Sequence, residues 1–378
     1  MMSDSNLRNI PTSSPTIGDS ERDAVLDALA RTEISGLSGE NIAAFEHEFS
    51  AYCDSSEGVA TSSGTTALHL AAASLGLHAG QSVLVTTLTN MATFFAVLQC
   101  GATPIPIDVE PDTGNLNPQL LDDALQANTV GVIVVHLFGH PVDMNPVMEF
   151  CKLHGLWLIE DAAEAHGATY MGKKVGAFGD AGCFSFFANK IITTGEGGMI
   201  TYQDGELAEW SRSARSLSFG SVNRFMHTGM GYNYRLSNLQ AAIGRAQLAK
   251  IEYVIAAKRS LTAFYNEAFK DIEAIRTPIE RPGCRSVFWM YHILLDGEWR
   301  NRRPEFRSAL LSRGIESREC FVPFDQQEFF VNEGIVKKGT CPVAEYWGTN
   351  GLYLPSGPNI AEADRSRVID AVTTLLDD

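Results

Sequence analysis

Between Ser82 and Tyr202, short β-branched or apolar runs alternate with stretches of helical periodicity. The runs 82–87, 104–108, 131–138, 156–161, 181–187 and 198–202 predict strands, and 92–100, 117–126 and 144–154 predict helices between the earlier ones. Strands separated by helices imply a mostly parallel sheet covered on both faces. In such sheets ligands collect beyond the carboxyl ends of the strands, so residues just after a strand are the first place to look for chemistry. Beyond Gly231 the pattern changes: Leu239 and Ile243, then Leu248, Ile251 and Ile255, stand at helical spacing and predict one long helix that links two domains. From about Arg259 onward, a strand at 286–295, a helix at 304–313 and a Pro/Gly-rich stretch at 354–358 fit a smaller α+β unit. The expected organisation is a large α/β domain over 1–250, with its N-terminal segment, and a small C-terminal domain over 251–378.

Size and composition agree with this division. The chain has 378 residues, 45% hydrophobic and 20% charged, and domains of roughly 100 to 200 residues make two the natural number. No apolar run approaches the 18 or so residues of a membrane span, and residues 1–15 are polar without an apolar stretch behind a charged start, so the expectation is a cytoplasmic protein. Seven scattered cysteines without a C-x-x-C pair argue for reduced thiols rather than a zinc or redox centre. His136 and His140 are four apart, but Gly139 and Pro141 deny them a helical face, and no metal site is expected. A glycine-rich dinucleotide fingerprint after the first strand is absent. The net charge of -16 opposes a nucleic-acid partner. One segment departs from that average: Arg212, Arg215, Arg224 and Arg235 have no Asp or Glu among them, either four solvated arginines or a local anion site.

Three motifs carry candidate chemistry. Ser62-Ser63-Gly64-Thr65-Thr66 precedes an apolar-faced helix, where free N–H groups and hydroxyls suit a phosphate, although ordinary N-capping explains the same residues. Asp161 ends an apolar strand, and a buried carboxylate there requires a cationic partner such as a protonated pyridine nitrogen, unless it caps a following helix. Lys190 is delivered by an apolar strand containing Ser185 into the turn that leads to Gly195, Gly197 and Gly198, where a desolvated amine could attack an aldehyde.

The order Ser63-Gly64-Thr65-Thr66, Glu160-Asp161-Ala162-Ala163-Glu164, Ser185 and Asn189-Lys190, with the later segments 231–242 and 351–357, resembles the DegT/DnrJ/EryC1/StrS family of sugar aminotransferases. The resemblance implies the aspartate aminotransferase fold (fold type I) and pyridoxal 5'-phosphate (PLP) as cofactor. It implies Lys190 as the Schiff-base lysine, Asp161 at the pyridine nitrogen, Glu164 near the ring hydroxyl, and Thr65, Thr66 and Ser185 at the phosphate with Ser63 and Gly64. Asn233, with Arg235 as helper, would complete the phosphate site of a neighbouring subunit, giving a homodimer. Asn90 stands where many members place an aromatic residue over the ring, and Met91 is the available substitute. The stretches 224–235 and 286–291 are most similar to the branch that moves an amino group from glutamate to GDP-4-keto-6-deoxymannose, forming GDP-perosamine for O-antigen synthesis. The alternatives are another keto sugar, such as an 8-keto eight-carbon acid of lipopolysaccharide, or a binding protein that keeps the fold without turnover. The dehydratase branch, with histidine in place of the lysine, is opposed by Lys190.

Overall fold

A computed structural model of the protein describes residues 8–377. Its large sheet has seven strands: β1 (Glu57–Thr61), β2 (Ser82–Thr86), β3 (Thr103–Ile107), β4 (Thr129–Val135), β5 (Trp157–Asp161), β6 (Ala181–Ser185) and β7 (Gly198–Tyr202), in the order β1-β7-β6-β5-β4-β2-β3. β7 runs antiparallel to both its neighbours and the other strands share one direction. Alternation along the strands supplies both cores. Val83, Val85, Ile133 and Ile159 enter one apolar cluster, while Leu84, Val132, Val134 and Leu158 enter another on the opposite face. Each such fully buried side chain contributes about 1.5–3 kcal/mol.

The C-terminal part forms an antiparallel sheet of β8 (Ile275–Arg276), β9 (Tyr291–Leu295), β10 (Arg318–Glu319) and β11 (Gly351–Leu354), in the order β8-β9-β11-β10. Helices Arg303–Ser312 and Glu362–Asp377 cover it, with Phe306, Leu310, Val368 and Val372 in the shared core. Ile10 also enters this core, bridging to Ile315, and Thr12 accepts a hydrogen bond from the Ser356 amide. Residues 10–12 therefore pack against the C-terminal sheet, where their apolar anchor is buried.

Several expected elements are shortened or broken. The single long helix is two, Asn238–Leu248 and Ile251–Phe269, separated at Ala249 and Lys250. Ile251, Val254 and Ile255 of the second pack with Phe45 and Phe49, whereas Leu261, Tyr265 and Phe269 join the C-terminal core. We propose that the two units divide within this helix. Its Lys258, almost wholly buried, donates to the carbonyls of Trp289 (2.8 Å) and Ser356 (2.9 Å). The helix expected at 117–126 is a 3-10 turn, Pro118–Leu120, followed by Leu121–Ala124. β4 stops at Val135 because Phe138 (φ 52) and Gly139 (φ 90) turn the chain into left-handed conformations. The strand expected at 286–295 begins only at Tyr291. The amides of Val287 and Trp289 bond instead to the carbonyls of Gly139 and Phe138, which carries Trp289 to the carboxyl end of β4. Among the described residues no helix is long and apolar enough to cross a membrane.

Candidate active site

A cavity of about 400 Å³ opens at the carboxyl ends of the co-directional strands. After β1 come Ser63, Gly64 and Thr65; after β2, Thr89 and Asn90; at and beyond the end of β5, Asp161 and Glu164; at and beyond the end of β6, Ser185 and Lys190. Residues 120 positions apart in the chain thus share one wall.

The first turn of helix Gly64–Ser74 is built by a capping box, in which the Ser63 Oγ accepts from the Thr66 amide (3.1 Å) and the Thr66 hydroxyl accepts from the Ser63 amide (3.0 Å). The capping explanation is therefore correct for Ser63 and Thr66, and the Thr66 hydroxyl does not line the cavity. What remains for an anion is the helix start itself, Gly64 and Thr65, facing Ser185. Gly64 is required by that approach, since a Cβ there would lie 2.8 Å from the Ser185 Cβ.

Asp161 caps no helix, because the segment after it is a series of turns. Its Oδ2 accepts from the Thr93 hydroxyl (2.7 Å) and its Oδ1 from the Ala163 amide (3.1 Å). Burial pushes its carboxyl pKa up, and the two donors and Lys190 only partly restrain the rise. Glu160, beside it in sequence, points the other way into a structural role, accepting from the amides of Gly176, Phe178 and Gly179 and bonding His136.

The Lys190 amine stands 3.8 Å from Glu164 Oε1 and 4.0 Å from the centroid of the Trp289 ring. Burial lowers its pKa and the carboxylates of Glu164 and Asp161 pull it partly back. Burial likewise raises Glu164, to about 7, against the opposing pull of Lys190 and the Phe138 amide, which donates to its Oε2 at 2.8 Å. An amine that gives up its proton readily, beside a carboxyl that titrates near neutrality, suits nucleophilic attack and proton transfer. The indole Nε1 of Trp289 donates to the carbonyl of Asn189 (2.8 Å), so the C-terminal unit clamps the turn that presents the lysine.

Asn90 lines the cavity with its Oδ1 occupied by the Ala92 amide (3.0 Å), while Met91 packs into an apolar cluster and does not reach the cavity. Asn233 and Arg235 do not line it either; Arg235 bonds the Ser216 hydroxyl (3.2 Å). The basic segment is half neutralised by distant residues. Arg212 pairs with Glu57 (2.5 Å), and Arg215 pairs with Glu46 and the Ala60 carbonyl, so neither guanidinium is available to an anion. Trp289, Arg318, Phe321 and Tyr353 line the cavity from the C-terminal side. Of these only Trp289 and Tyr353 fell within sequence segments of interest. Arg318 and Phe321 carry no local signal.

A family model described as the DegT/DnrJ/EryC1/StrS aminotransferase family matches residues 15–373. The chain belongs to this family. Its members are sugar aminotransferases that work with PLP, and so is this chain. The aminotransferase is 39% identical to the GDP-perosamine synthase of Caulobacter vibrioides over 98% of its own length and 100% of that protein. It is 36% identical to the dTDP-3-amino-3,4,6-trideoxy-alpha-D-glucose transaminase of Streptomyces venezuelae, covering 91% of this chain and 90% of the relative. Among solved structures, DesV of S. venezuelae, in complex with a ketimine intermediate, superposes with a TM-score of 0.90 at 32% identity, covering 98% of this chain and 100% of DesV. The fold expected from the resemblance, fold type I with a mostly parallel mixed sheet, is the one observed. The cavity also fits PLP on its own terms: a helix-start cradle that a Cβ at Gly64 would fill, a buried carboxylate raised by desolvation, and a buried amine of lowered pKa.

Proposed function

We propose that this aminotransferase moves an amino group from glutamate to the keto carbon of a nucleotide-linked sugar, with GDP-4-keto-6-deoxymannose, and hence GDP-perosamine, as the leading acceptor and product. The observation that carries the catalytic part is the Lys190 amine held between Glu164 and Trp289 in a cavity that Asp161 also lines. The acceptor rests on the similarity to the Caulobacter protein.

Bound PLP supplies an aldehyde for the amine and an electron sink for the bond-breaking step. Lys190 would be the residue that holds that aldehyde, and its amine would take up and return the proton in each half of the transfer. Asp161, kept in place by Thr93 and Ala163, would pair with the protonated ring nitrogen, a positive charge that would compensate the burial that raises its carboxyl pKa. Glu164 would serve the ring hydroxyl. Gly64, Thr65 and Ser185 would hold the phosphate, with Ser63 and Thr66 shaping the turn, and Asn90 would offer the ring a flat amide.

Asn233 and Arg235, which do not line their own cavity, fit a role in the phosphate site of a second subunit. A homodimer is further supported by Val222, Phe225, Met226 and Met230, large apolar side chains exposed on the segment that leads to Asn233. Transfer from glutamate to a nucleotide sugar of the lipopolysaccharide or O-antigen type would take place in the cytoplasm.

The test is the visible spectrum of the protein with PLP. Glutamate should shift the cofactor band and one member of a panel of keto sugars should restore it, identifying the acceptor. Lys190→Ala should keep the circular dichroism of the fold and lose both responses; a variant that still turns over keto sugar at a substantial fraction of the parent rate refutes the assignment.

A further inference from the structure

Two cations line the cavity, Lys190 and Arg318, against three carboxylates, Asp161, Glu164 and Glu196. Lys190 is committed to the chemistry, which leaves Arg318 without a task. It lies in β10 directly opposite Tyr353 of β11, and side chains opposite one another in an antiparallel pair project to the same face. Burial, then the Glu164 carboxylate, push the Tyr353 hydroxyl up to about 12, while the Arg318 guanidinium holds it back. Arg318, Tyr353 and Glu164 line the same cavity. Its chain neighbour Glu319 is taken by Arg307, and among the described residues no carboxylate lies within ion-pairing distance of Arg318.

An amino donor with a second carboxylate would enter a cavity richer in negative than positive charge, past the apolar rings of Trp289 and Phe321. Among the described lining residues of this chain, Arg318 is the cation left to offset that repulsion, with a guanidinium that can take a carboxylate through two parallel hydrogen bonds. We propose that Arg318 binds the side-chain carboxylate of the amino donor and so sets the preference for glutamate over a neutral amino acid. The inference rests on the reading of Lys190 as the transferring residue.

The experiment measures the rate of the cofactor band shift against concentration for glutamate and for alanine, in the PLP-loaded parent, Arg318→Gln and Arg318→Lys. The glutamate-over-alanine ratio should fall by about 10- to 100-fold in Arg318→Gln, the loss of a charge-assisted contact, and by less in Arg318→Lys. Glutarate, which has the carboxylates without the amine, should bind Arg318→Gln more weakly by calorimetry, in the same sense. An unchanged ratio overturns the proposal, as does an equal loss for glutamate and alanine, which would place the contact at the α-carboxylate. A defect confined to the return step with keto sugar also overturns it, by assigning Arg318 to the acceptor's diphosphate. If the parent itself forms the cofactor band but responds to no amino acid, the transfer reading fails, a result distinguishable from any of these.

Discussion

Replacing Lys258 by Met tests whether the buried lysine that joins the two units is held there neutral. Its two hydrogen bonds go to backbone carbonyls of Trp289 and Ser356, which matches the two N–H donors of an uncharged amine. Burial lowers its pKa from 10.5 to about 7. A lysine with a depressed folded-state pKa stabilises fully only above its unfolded value, and that contribution is lost as pH falls toward the folded value. Between pH 10 and pH 7 the loss is about 4 kcal/mol, at 1.36 kcal/mol per unit. A chain of 378 residues, at an unfolding entropy near 2 cal/mol/K per residue, moves its melting midpoint by about 1.3 °C per kcal/mol. Thermal melts of the parent and of Lys258→Met across this range should therefore diverge by about 5 °C, with the deficit of the variant widening as pH rises. The comparison cancels the tyrosines and cysteines that titrate in both proteins. Melting curves that stay parallel within about 1 °C would refute the idea that the amine is stored uncharged.

Arg215→Ala should destabilise the protein by about 3 kcal/mol, because the buried Glu46 carboxylate loses its main partner, while the KM for the nucleotide sugar stays unchanged. Melting and steady-state kinetics separate the two effects, and a KM raised tenfold with unchanged stability would return this arginine to the substrate. Gly64→Ala should weaken PLP binding by roughly 5- to 150-fold, since the added carbon must displace Ser185 from the phosphate cradle at an overpacking cost of about 1–3 kcal/mol. Equilibrium dialysis of PLP measures this directly, and parent-like affinity would show that the close approach of helix and strand is dispensable.

What could be read from the sequence was local. Asp161 ends an apolar run and Lys190 follows one, and both line the cavity at the strand carboxyl ends, where the topology rule expects chemistry. The failures have a common physical cause, which is that charge and register are completed from elsewhere in the chain. Arg212 to Arg235 formed a basic segment only while Glu46 and Glu57 were out of sight; folding brings these carboxylates to Arg212 and Arg215 and removes half of the apparent anion site. Arg318 sits in a strand of two residues, too short to give periodicity, and only its register against Tyr353 aims it at the cavity. The single helix expected after Gly231 was a matter of spacing, because Leu248 and Ile251 keep helical phase across the break at Ala249 and Lys250. Trp289 was read as strand, but its amide goes to the Phe138 carbonyl, a partner that exists only once the chain has turned at Phe138 and Gly139.

The meeting of Gly64 with Ser185 bears on how the enzyme matures. Gly64 follows β1 and Ser185 ends β6, and the strand that lies between those two, β7, comes from later in the chain than either. A growing or half-folded polypeptide therefore has the lysine but no cradle, and its grip on the cofactor should be weak. Since a ligand that binds only the finished fold stabilises it by mass action, the supply of cofactor in the cell becomes a quality filter, drawing completed molecules out of the folding pool and leaving incomplete ones to proteolysis.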